Sequence, residues 1–249
     1  MQKYSIFGRK VHGLQTRNSS LLCGELMNKM LKESSFLFLA DLKDNNQREW
    51  FQNNRKRYED AKLDFLQFIE KIVVDLCMED PTLKGILAKD TLFRINKDTR
   101  FSKDKSPYKT NFGAGISRDG KKLPVAGYYF HLEPGKSFLA AGIYMPEPEK
   151  LKVIREEIAY DSNELDAVFN KPSFRRFFND FDSFDKLANA PKGFDKHHPK
   201  LEWLKQKSFI VSANLSDDEL RSAKAEEKVS SLFRETVPLI LLINKWLGK

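Results

Sequence analysis

What this sequence has little of excludes several classes of protein. It contains two cysteines, Cys23 and Cys77, which is too few for a disulfide framework and gives no metal-binding pattern. Its longest apolar run, Val237–Ile243, is interrupted by Pro238 and is far shorter than the roughly 20 residues of a membrane-spanning helix. We therefore expect a cytoplasmic protein with no membrane partner.

Motifs that mark common catalytic and cofactor sites are also missing. The chain has no glycine-rich phosphate loop, no nucleophile elbow and no zinc motif. The neighbouring His197 and His198 cannot easily ligate one metal ion from a strand or helix, and no cysteine or carboxylate spacing completes a site. The sequence thus predicts neither a metal nor a cofactor. An acid–base pair of His198 with Asp98 or Asp195 is a weak candidate, and structural histidines are the favoured interpretation.

The beginning of the chain does not match a signal peptide. A basic start is followed by a polar stretch where an apolar one is needed, VHGLQTRNSS. Met27 and Met30 immediately precede the first well-patterned segment, so either is expected to be the true start. We accordingly expect residues 1–30 to be a disordered or spurious extension and residues 31–249 to form a single domain.

The composition is that of a globular protein with a modest basic excess. Apolar residues make up 41% of the 249 residues and charged residues 31%, and 20 phenylalanines supply material for a large core. Lysine and arginine outnumber aspartate and glutamate by 43 to 35, which gives a formal net charge of +8. Such an excess permits a polyanionic partner without requiring one.

The first part of the sequence has the apolar spacing of helices. Ser35 is predicted to cap a short helix over Phe36–Leu42. Asn45 or Asn46 is predicted to cap a longer helix that runs toward Leu76, because apolar residues recur there at nearly helical intervals.

The middle of the chain has the pattern of strands joined by turns. A Glu-Pro-Gly-Lys turn joins the last two strands and predicts an antiparallel meander. Alternation in the third strand predicts that Tyr128, Phe130 and Leu132 share one face, with Tyr129 and His131 on the other. The predicted strands are Leu92–Asn96, Phe112–Ser117, Val125–Leu132 and Ser137–Met145.

Helical patterns return in the last part of the chain. Ser216 and Glu219 have the spacing of a capping box, which predicts that a charged helix begins there. The predicted elements are a helix from Pro148, short helices over Asn163–Phe169 and Ser173–Phe181, a strand over Ser208–Leu215 and a closing helix over Val237–Leu247. The whole pattern predicts an α+β fold, with a central antiparallel sheet and helices before and after it.

The segment Arg94–Lys109 is the strongest candidate for a functional site. On an extended backbone Arg94, Asp98 and Arg100 share one face, and two guanidinium groups beside a carboxylate form a fork that suits phosphate or carboxylate. Asp98 would orient the arginines or act as a base, and Tyr108 would stack on a ligand or donate to it. The candidate ligand-binding residues of this segment are Arg94, Lys97, Asp98, Arg100, Lys105, Tyr108 and Lys109. The alternative is a solvated loop with internal ion pairs.

A second candidate surface lies on the predicted long helix. Trp50, Asn54 and Tyr58 are four residues apart and therefore share a face. Asn54 between two aromatic residues would either reach a ligand or hydrogen-bond within the protein, and the structural interpretation is favoured.

These segments together resemble a protein family known as domain of unknown function 2461. The resemblance spans about residues 35–247 and is carried by three runs. They are Asn46…Trp50-Phe51…Asn54-Arg55…Tyr58-Glu59, Arg94…Lys97-Asp98-Thr99-Arg100-Phe101…Asp104-Lys105-Ser106-Pro107-Tyr108-Lys109, and Gly193-Phe194…His198-Pro199 followed by Lys207-Ser208-Phe209. This sequence departs from the family pattern at Lys97, where arginine is expected, and at His197, where an acidic residue is common. The resemblance implies no established activity.

Three functions are compatible with these observations. The leading hypothesis is a cytoplasmic module, or an enzyme, for an anionic small molecule bound by the basic segment. The alternatives are a nucleic-acid-binding protein, whose affinity would fall steeply with salt, and a structural or interaction protein in which the segment locks the fold.

Overall fold

The computed structural model of the protein describes residues 30–100, 103–122 and 124–248. The predictions made for residues 1–29 lie outside this range. Within it, one buried apolar cluster extends from Leu31 to Ile243, so helices from both ends of the chain contribute to the same core.

Helices precede and follow the sheet, as the sequence predicts. Before the sheet lie α1 (Glu33–Asp44), α2 (Arg48–Asn53), α3 (Arg55–Glu79) and the single turn α4 (Ala88–Thr91). After the third strand come α5 (Pro148–Tyr160), α6 (Asn163–Asn170), α7 (Pro172–Arg175) and α8 (Leu201–Leu204). The turn α9 (Asp217–Leu220) and the long helix α10 (Ala225–Trp246) follow the last strand.

The described residues form one four-stranded sheet in which every neighbouring pair is antiparallel. Its order is β1 (Phe112–Ile116), β2 (Gly127–Leu132), β3 (Ser137–Ile143) and β4 (Phe209–Leu215). The order follows the chain, which confirms the predicted meander. Helices α5 to α8 occupy the connection between β3 and β4.

One face of the sheet packs against α3 and α10. Phe65 of α3 stacks on Phe130, with ring centroids 6.0 Å apart, and Phe233 of α10 meets Tyr128 edge-to-face at 5.6 Å. Tyr128, Phe130 and Leu132 are fully buried, whereas Tyr129 of the same strand is only half-buried. The predicted alternation of β2 is therefore confirmed.

Two predicted helix caps are wrong. Ser35 lies inside α1, whose N-cap is Lys32, and its hydroxyl donates to Asp64 of α3 (2.7 Å). Asn46 does not cap the next helix, because its amide binds the backbone of Tyr108 and Gln47 is the N-cap of α2. In both cases a partner far along the chain outcompetes the local backbone for the polar side chain.

Several predicted element bounds also differ from the structure. The closing helix, predicted over Val237–Leu247, begins earlier and is α10 (Ala225–Trp246). The long helix is two helices, since the chain breaks at Asn54. Leu92–Asn96 forms isolated bridges to Ala114 and Tyr108 and is not a regular strand. The helix predicted over Ser173–Phe181 is the single turn α7. The Ser216 capping box is present but opens only the turn α9.

Candidate functional site

Two short arms, residues 92–97 and 107–109, pair with each other at the two ends of the basic segment. The backbone N–H of Lys97 donates to the carbonyl of Pro107 (2.9 Å), and that of Lys109 donates to the carbonyl of Ile95 (2.8 Å). The N–H of Phe93 donates to the carbonyl of Gly113 (2.9 Å) and attaches the first arm to β1. The segment therefore lies at the β1 edge of the sheet.

Asn46 fastens the second arm to the start of α2. Its side-chain amide donates to the carbonyl of Tyr108 (2.9 Å) and accepts from the N–H of Tyr108 (3.1 Å), as the backbone of a neighbouring strand would. The ring of Tyr108 is buried and stacks on Phe51, with centroids 4.0 Å apart. Tyr108 was predicted to stack on a ligand. Phe51 instead occupies one face of its ring, and this contact holds the second arm against α2.

Asp98 and Arg100 are already paired with each other. The Arg100 guanidinium donates to both carboxylate oxygens of Asp98, at 3.0 Å from Nε and 2.7 Å from Nη2. Hydrogen bonds from Arg100 hold the pKa of Asp98 below its ordinary value, and the positive charge of Arg94 adds a smaller effect in the same direction. Asp98 is therefore ionised at neutral pH, which suits it to orient a cation and makes it a weak base.

The lysines of the loop also have partners within it. Lys97 pairs with Asp104, and the bonds from Lys97 and Ser106 hold the pKa of Asp104 below its ordinary value. Lys105 donates from Nζ to the carbonyl of Thr99 (2.9 Å). These contacts agree with the alternative of a loop that compensates part of its own charge.

Arg94 and Lys109 are not neutralised in this way. Neither has an ion pair with an acid among the described residues. The ammonium group of Lys109 lies over the ring of Phe93, 5.4 Å from its centroid. Burial lowers the pKa of Lys109, and repulsion from the positive charge of Arg94 lowers it further.

A basic cleft of about 350 Å³ adjoins Arg94, between α3 and the first arm. Its floor is aromatic and its rim is cationic, and no carboxylate lines it. The aromatic residues are Tyr58, Phe65, Phe93 and Phe112, and the cations are Lys62, Lys89, Arg94 and Lys121. None of these four cations has a carboxylate partner in the described part of the chain, although Lys121 donates from Nζ to the carbonyl of Leu92 (3.1 Å). We call this the basic cleft.

A second recess of about 390 Å³ lies on the other side of Asn96. Arg48, Lys97 and Lys105 line it together with uncharged polar groups, again without a carboxylate in the lining. Because Asn96 lines both spaces, the basic cleft and this recess form neighbouring parts of one positively charged surface.

Trp50 and Asn54 have structural contacts. Asn54 ends α2 and begins α3, and its amide donates to the carbonyl of Trp50 (2.9 Å) and accepts from Arg57 (3.1 Å). Trp50 stacks on Phe38 of the core at 6.2 Å. Neither residue lines the basic cleft or the recess.

The histidine candidate is also engaged by the backbone. Nδ1 of His198 accepts from the N–H of Lys200 (3.1 Å), which leaves Nε2–H to donate to the carbonyl of Ala159 (3.3 Å). Among the described contacts none joins the His198 ring to Asp98 or to the carboxylate of Asp195, which accepts from the backbone N–H of His197 (2.9 Å). In residues 30–100, 103–122 and 124–248 no group of three or more metal-ligating side chains is placed to hold a metal ion.

A comparison with protein families identifies the relatives of this chain. The family described as conserved hypothetical protein (DUF2461) matches residues 34–241, which include the whole basic segment and His198. The chain belongs to this family. No curated protein and no solved structure matches it. The family description states no activity for this DUF2461 protein. None of the described helices is long and apolar enough to cross a bilayer.

Sequence reasoning on this DUF2461 chain missed Lys62, Lys89 and Lys121. They come from α3, α4 and the turn after β1, and each is an isolated lysine in an unremarkable local pattern. Only the packing of these three elements around the first arm brings them to Arg94, so no spacing in the sequence signals them.

The sequence also missed a relay of polar side chains on the face of β2 that points away from α3 and α10. The hydroxyl of Tyr129 donates to Nδ1 of His131 (3.0 Å), and Nε2–H of His131 donates to Glu133 (3.2 Å). A carboxylate can only accept, so it fixes this tautomer of the histidine. Burial raises the pKa of Tyr129 to about 12, which keeps its hydroxyl a donor at neutral pH.

We expect Glu133→Gln to lower the pKa of His131. Burial already holds that pKa below 6.5, and Glu133 opposes the shift through its hydrogen bond and its charge. A depressed pKa means that the fold favours neutral imidazole, so the stabilisation is fully present above pH 6.5 and is lost as the pH falls from there through the lower pKa of the folded state. A proton NMR titration of the imidazole resonance, assigned with His131→Asn, measures the shift. An unchanged or higher pKa in Glu133→Gln contradicts the relay.

Proposed function

We propose that this protein is a cytoplasmic module that binds a phosphate- or carboxylate-bearing small molecule in the basic cleft. The observation that carries the proposal is the uncompensated charge of this space. Lys62, Lys89, Arg94 and Lys121 line it, and no acid does. Converging cations without counter-charges repel one another, and an anion that enters the cleft removes this repulsion.

The shape and lining of the basic cleft suit an organic anion. A volume of about 350 Å³ lies within the range of small-molecule sites. The aromatic floor offers apolar contact to the carbon skeleton of the ligand, while the cations meet its charged group. A cleft of this size is a poor match for an extended polyanion, which needs a stripe of cations along the surface.

The cations have different roles in this proposal. The guanidinium of Arg94 is suited to hold two oxygens of a phosphate or carboxylate at once, whereas the lysines act as point charges. Lys109, whose ammonium group lies over the ring of Phe93, adds to the local positive potential. The Asp98–Arg100 pair lines neither space, whereas Lys97 and Lys105 extend the positive surface into the neighbouring recess.

Binding of phosphorylated probes tests this proposal. The probes are inorganic phosphate, phenyl phosphate, glucose 6-phosphate and AMP, screened by thermal stabilisation. We expect the best organic phosphate to bind at least about 10-fold more tightly than its dephosphorylated counterpart. Arg94→Gln is expected to weaken that probe by about 10- to 100-fold in calorimetry, because it removes a charged hydrogen-bonding group.

The matched control is Arg234→Gln. Arg234 is an exposed arginine of α10 that faces Glu79 (3.5 Å) and does not line the basic cleft. Its replacement is expected to leave probe affinity unchanged. Equal losses in both variants, or none in Arg94→Gln, would show that the anion binds elsewhere. A preference for RNA that falls steeply with salt would favour the nucleic-acid alternative.

A further inference from the structure

The face of the sheet that points away from α3 and α10 contains a second, chemically different cleft. It has a volume of about 550 Å³ and is predominantly apolar. Five aromatic side chains line it: Phe93, Tyr129, Phe138, Tyr144 and Phe184. We call it the sheet-face cleft. Its lining contains no lysine, arginine or histidine, so it differs in charge from the basic cleft.

Small residues in the middle of the sheet create its depth. Ala140 of β3 lies directly between Tyr129 of β2 and Ser212 of β4 in the register of the strands. Phe138 and Ile210 project from neighbouring positions of the same face. Since cross-strand neighbours stand side by side, short side chains at Ala140 and Ser212 leave a depression between larger ones.

Two aromatic residues stand at the mouth of the cleft. Tyr144, which follows β3, and Phe184, from the segment between α7 and α8, stack with centroids 6.2 Å apart. Both are unusually exposed for aromatic residues, at 59% and 61%.

Asp182 is the one acid in the lining of this apolar space. It is half-buried, and burial raises the pKa of its carboxyl group despite opposing hydrogen bonds from Ser212. Among the described residues no cation forms an ion pair with it. A carboxyl group in an aromatic cleft without a counter-charge is complementary to a ligand that has a positive group on an aromatic body.

We propose that the sheet-face cleft binds a small aromatic amine, with the ring between the aromatic side chains and the ammonium group on Asp182. The ring fills the depression over Ala140 and Ser212. Tyr144 and Phe184 cover it at the mouth, and the ammonium group forms the ion pair with Asp182 that no cation of the described residues provides. This site is separate from the anion site, with which it shares only Phe93 among the lining residues.

Three indole probes of similar size and different charge test the proposal. They are tryptamine, which is cationic, tryptophol, which is neutral, and indole-3-propionate, which is anionic. We expect tryptamine to bind at least about 10-fold more tightly than the propionate in ligand-observed NMR titrations. Asp182→Asn is expected to reduce tryptamine binding to the level of tryptophol and to leave tryptophol unchanged.

The matched control is Asp185→Asn, which replaces an acid of the same segment that pairs with Lys207 (2.7 Å) and does not line the cleft. It is expected to leave all three affinities unchanged. Phe184→Ala, at an exposed position, is expected to weaken tryptamine and tryptophol together, and it tests the site even if Asp182→Asn fails to fold. Arg94→Gln should not affect tryptamine, which separates this site from the anion site.

Several outcomes would overturn the proposal. They include equal affinity for tryptamine and indole-3-propionate, and tryptamine binding that survives both Asp182→Asn and Phe184→Ala. A stable dimer in sedimentation velocity that Phe184→Ala dissociates would also do so, because it would show that a second copy of the chain covers this face.

Discussion

Replacing Gly142 with alanine is expected to lower the free energy of unfolding by about 4 kcal/mol. A Cβ atom at this position of β3 would lie 1.9 Å from the carbonyl oxygen of Phe209 and 2.9 Å from Cα of Ile210, both backbone atoms of β4. The backbone of Gly142 also has φ 134°, which a side chain disfavours. Strain of about 1–3 kcal/mol adds to the cost of pushing two paired strands apart. Chemical denaturation measures the loss.

Gly135→Ala is the matched control for this prediction. Gly135 has a left-handed backbone as well (φ 72°), but no atom lies within 4 Å of a Cβ placed there. It should therefore show the conformational cost alone, about 1 kcal/mol. If the two variants lose the same stability, the close approach of β3 and β4 at Gly142 does not hold in solution.

The second large effect is expected for Asn244→Ala. The side chain of this buried residue of α10 bonds both backbone groups of Ala126: its amide donates to the carbonyl (3.1 Å) and accepts from the N–H (3.0 Å). The variant leaves a buried donor and a buried acceptor unpaired just before β2. We expect a loss of about 3 kcal/mol in the free energy of unfolding, which corresponds to a decrease of about 6–12 °C in Tm for a protein of this size.

Lys245→Ala is the control, because it changes the next residue of the same helix. Lys245 forms an exposed ion pair with Glu164, with both side chains about two-thirds exposed. Such pairs contribute little, so its loss is expected to cost no more than about 0.5 kcal/mol. A stability loss in Asn244→Ala that is as small as this would mean that water replaces both hydrogen bonds and that the tie between α10 and β2 is dispensable.

The parts of the fold that were predictable are those that local chemistry controls. The Glu-Pro-Gly-Lys turn predicted the β2–β3 hairpin, and alternation predicted which side chains of β2 face the core. Ser216 and Glu219 form the capping box that their spacing indicated. In each case the groups that decide the structure lie within a few residues of one another.

Predictions failed where a distant partner competed with a local one. Ser35 and Asn46 both had the character of helix caps, but Asp64 and the backbone of Tyr108 bind them instead. Leu92–Asn96 was predicted to be a strand, but it forms only isolated bridges to Ala114 and Tyr108. Local propensity favours the helix caps and the strand, and tertiary contacts override that preference.

The candidate site was likewise predictable only where local chemistry controls it. The sequence indicated a basic segment, and it anticipated that Asp98 and Arg100 would interact. It did not indicate which cations stay uncompensated, because that depends on where Asp104 and Thr99 turn their oxygens. The lysines that complete the basic cleft around Arg94 come from other elements.

By itself, the sequence determined the family, the α+β class, the antiparallel meander and the location of positive charge along the chain. It could do so because hydrophobic period, turn chemistry and residue type act over short stretches. Only the tertiary structure decided which cations are left without acids. It also decided that the sheet-face cleft, which Asp182 lines, forms at all. Both depend on the packing of segments far apart in the chain, and no local pattern encodes the distances between them.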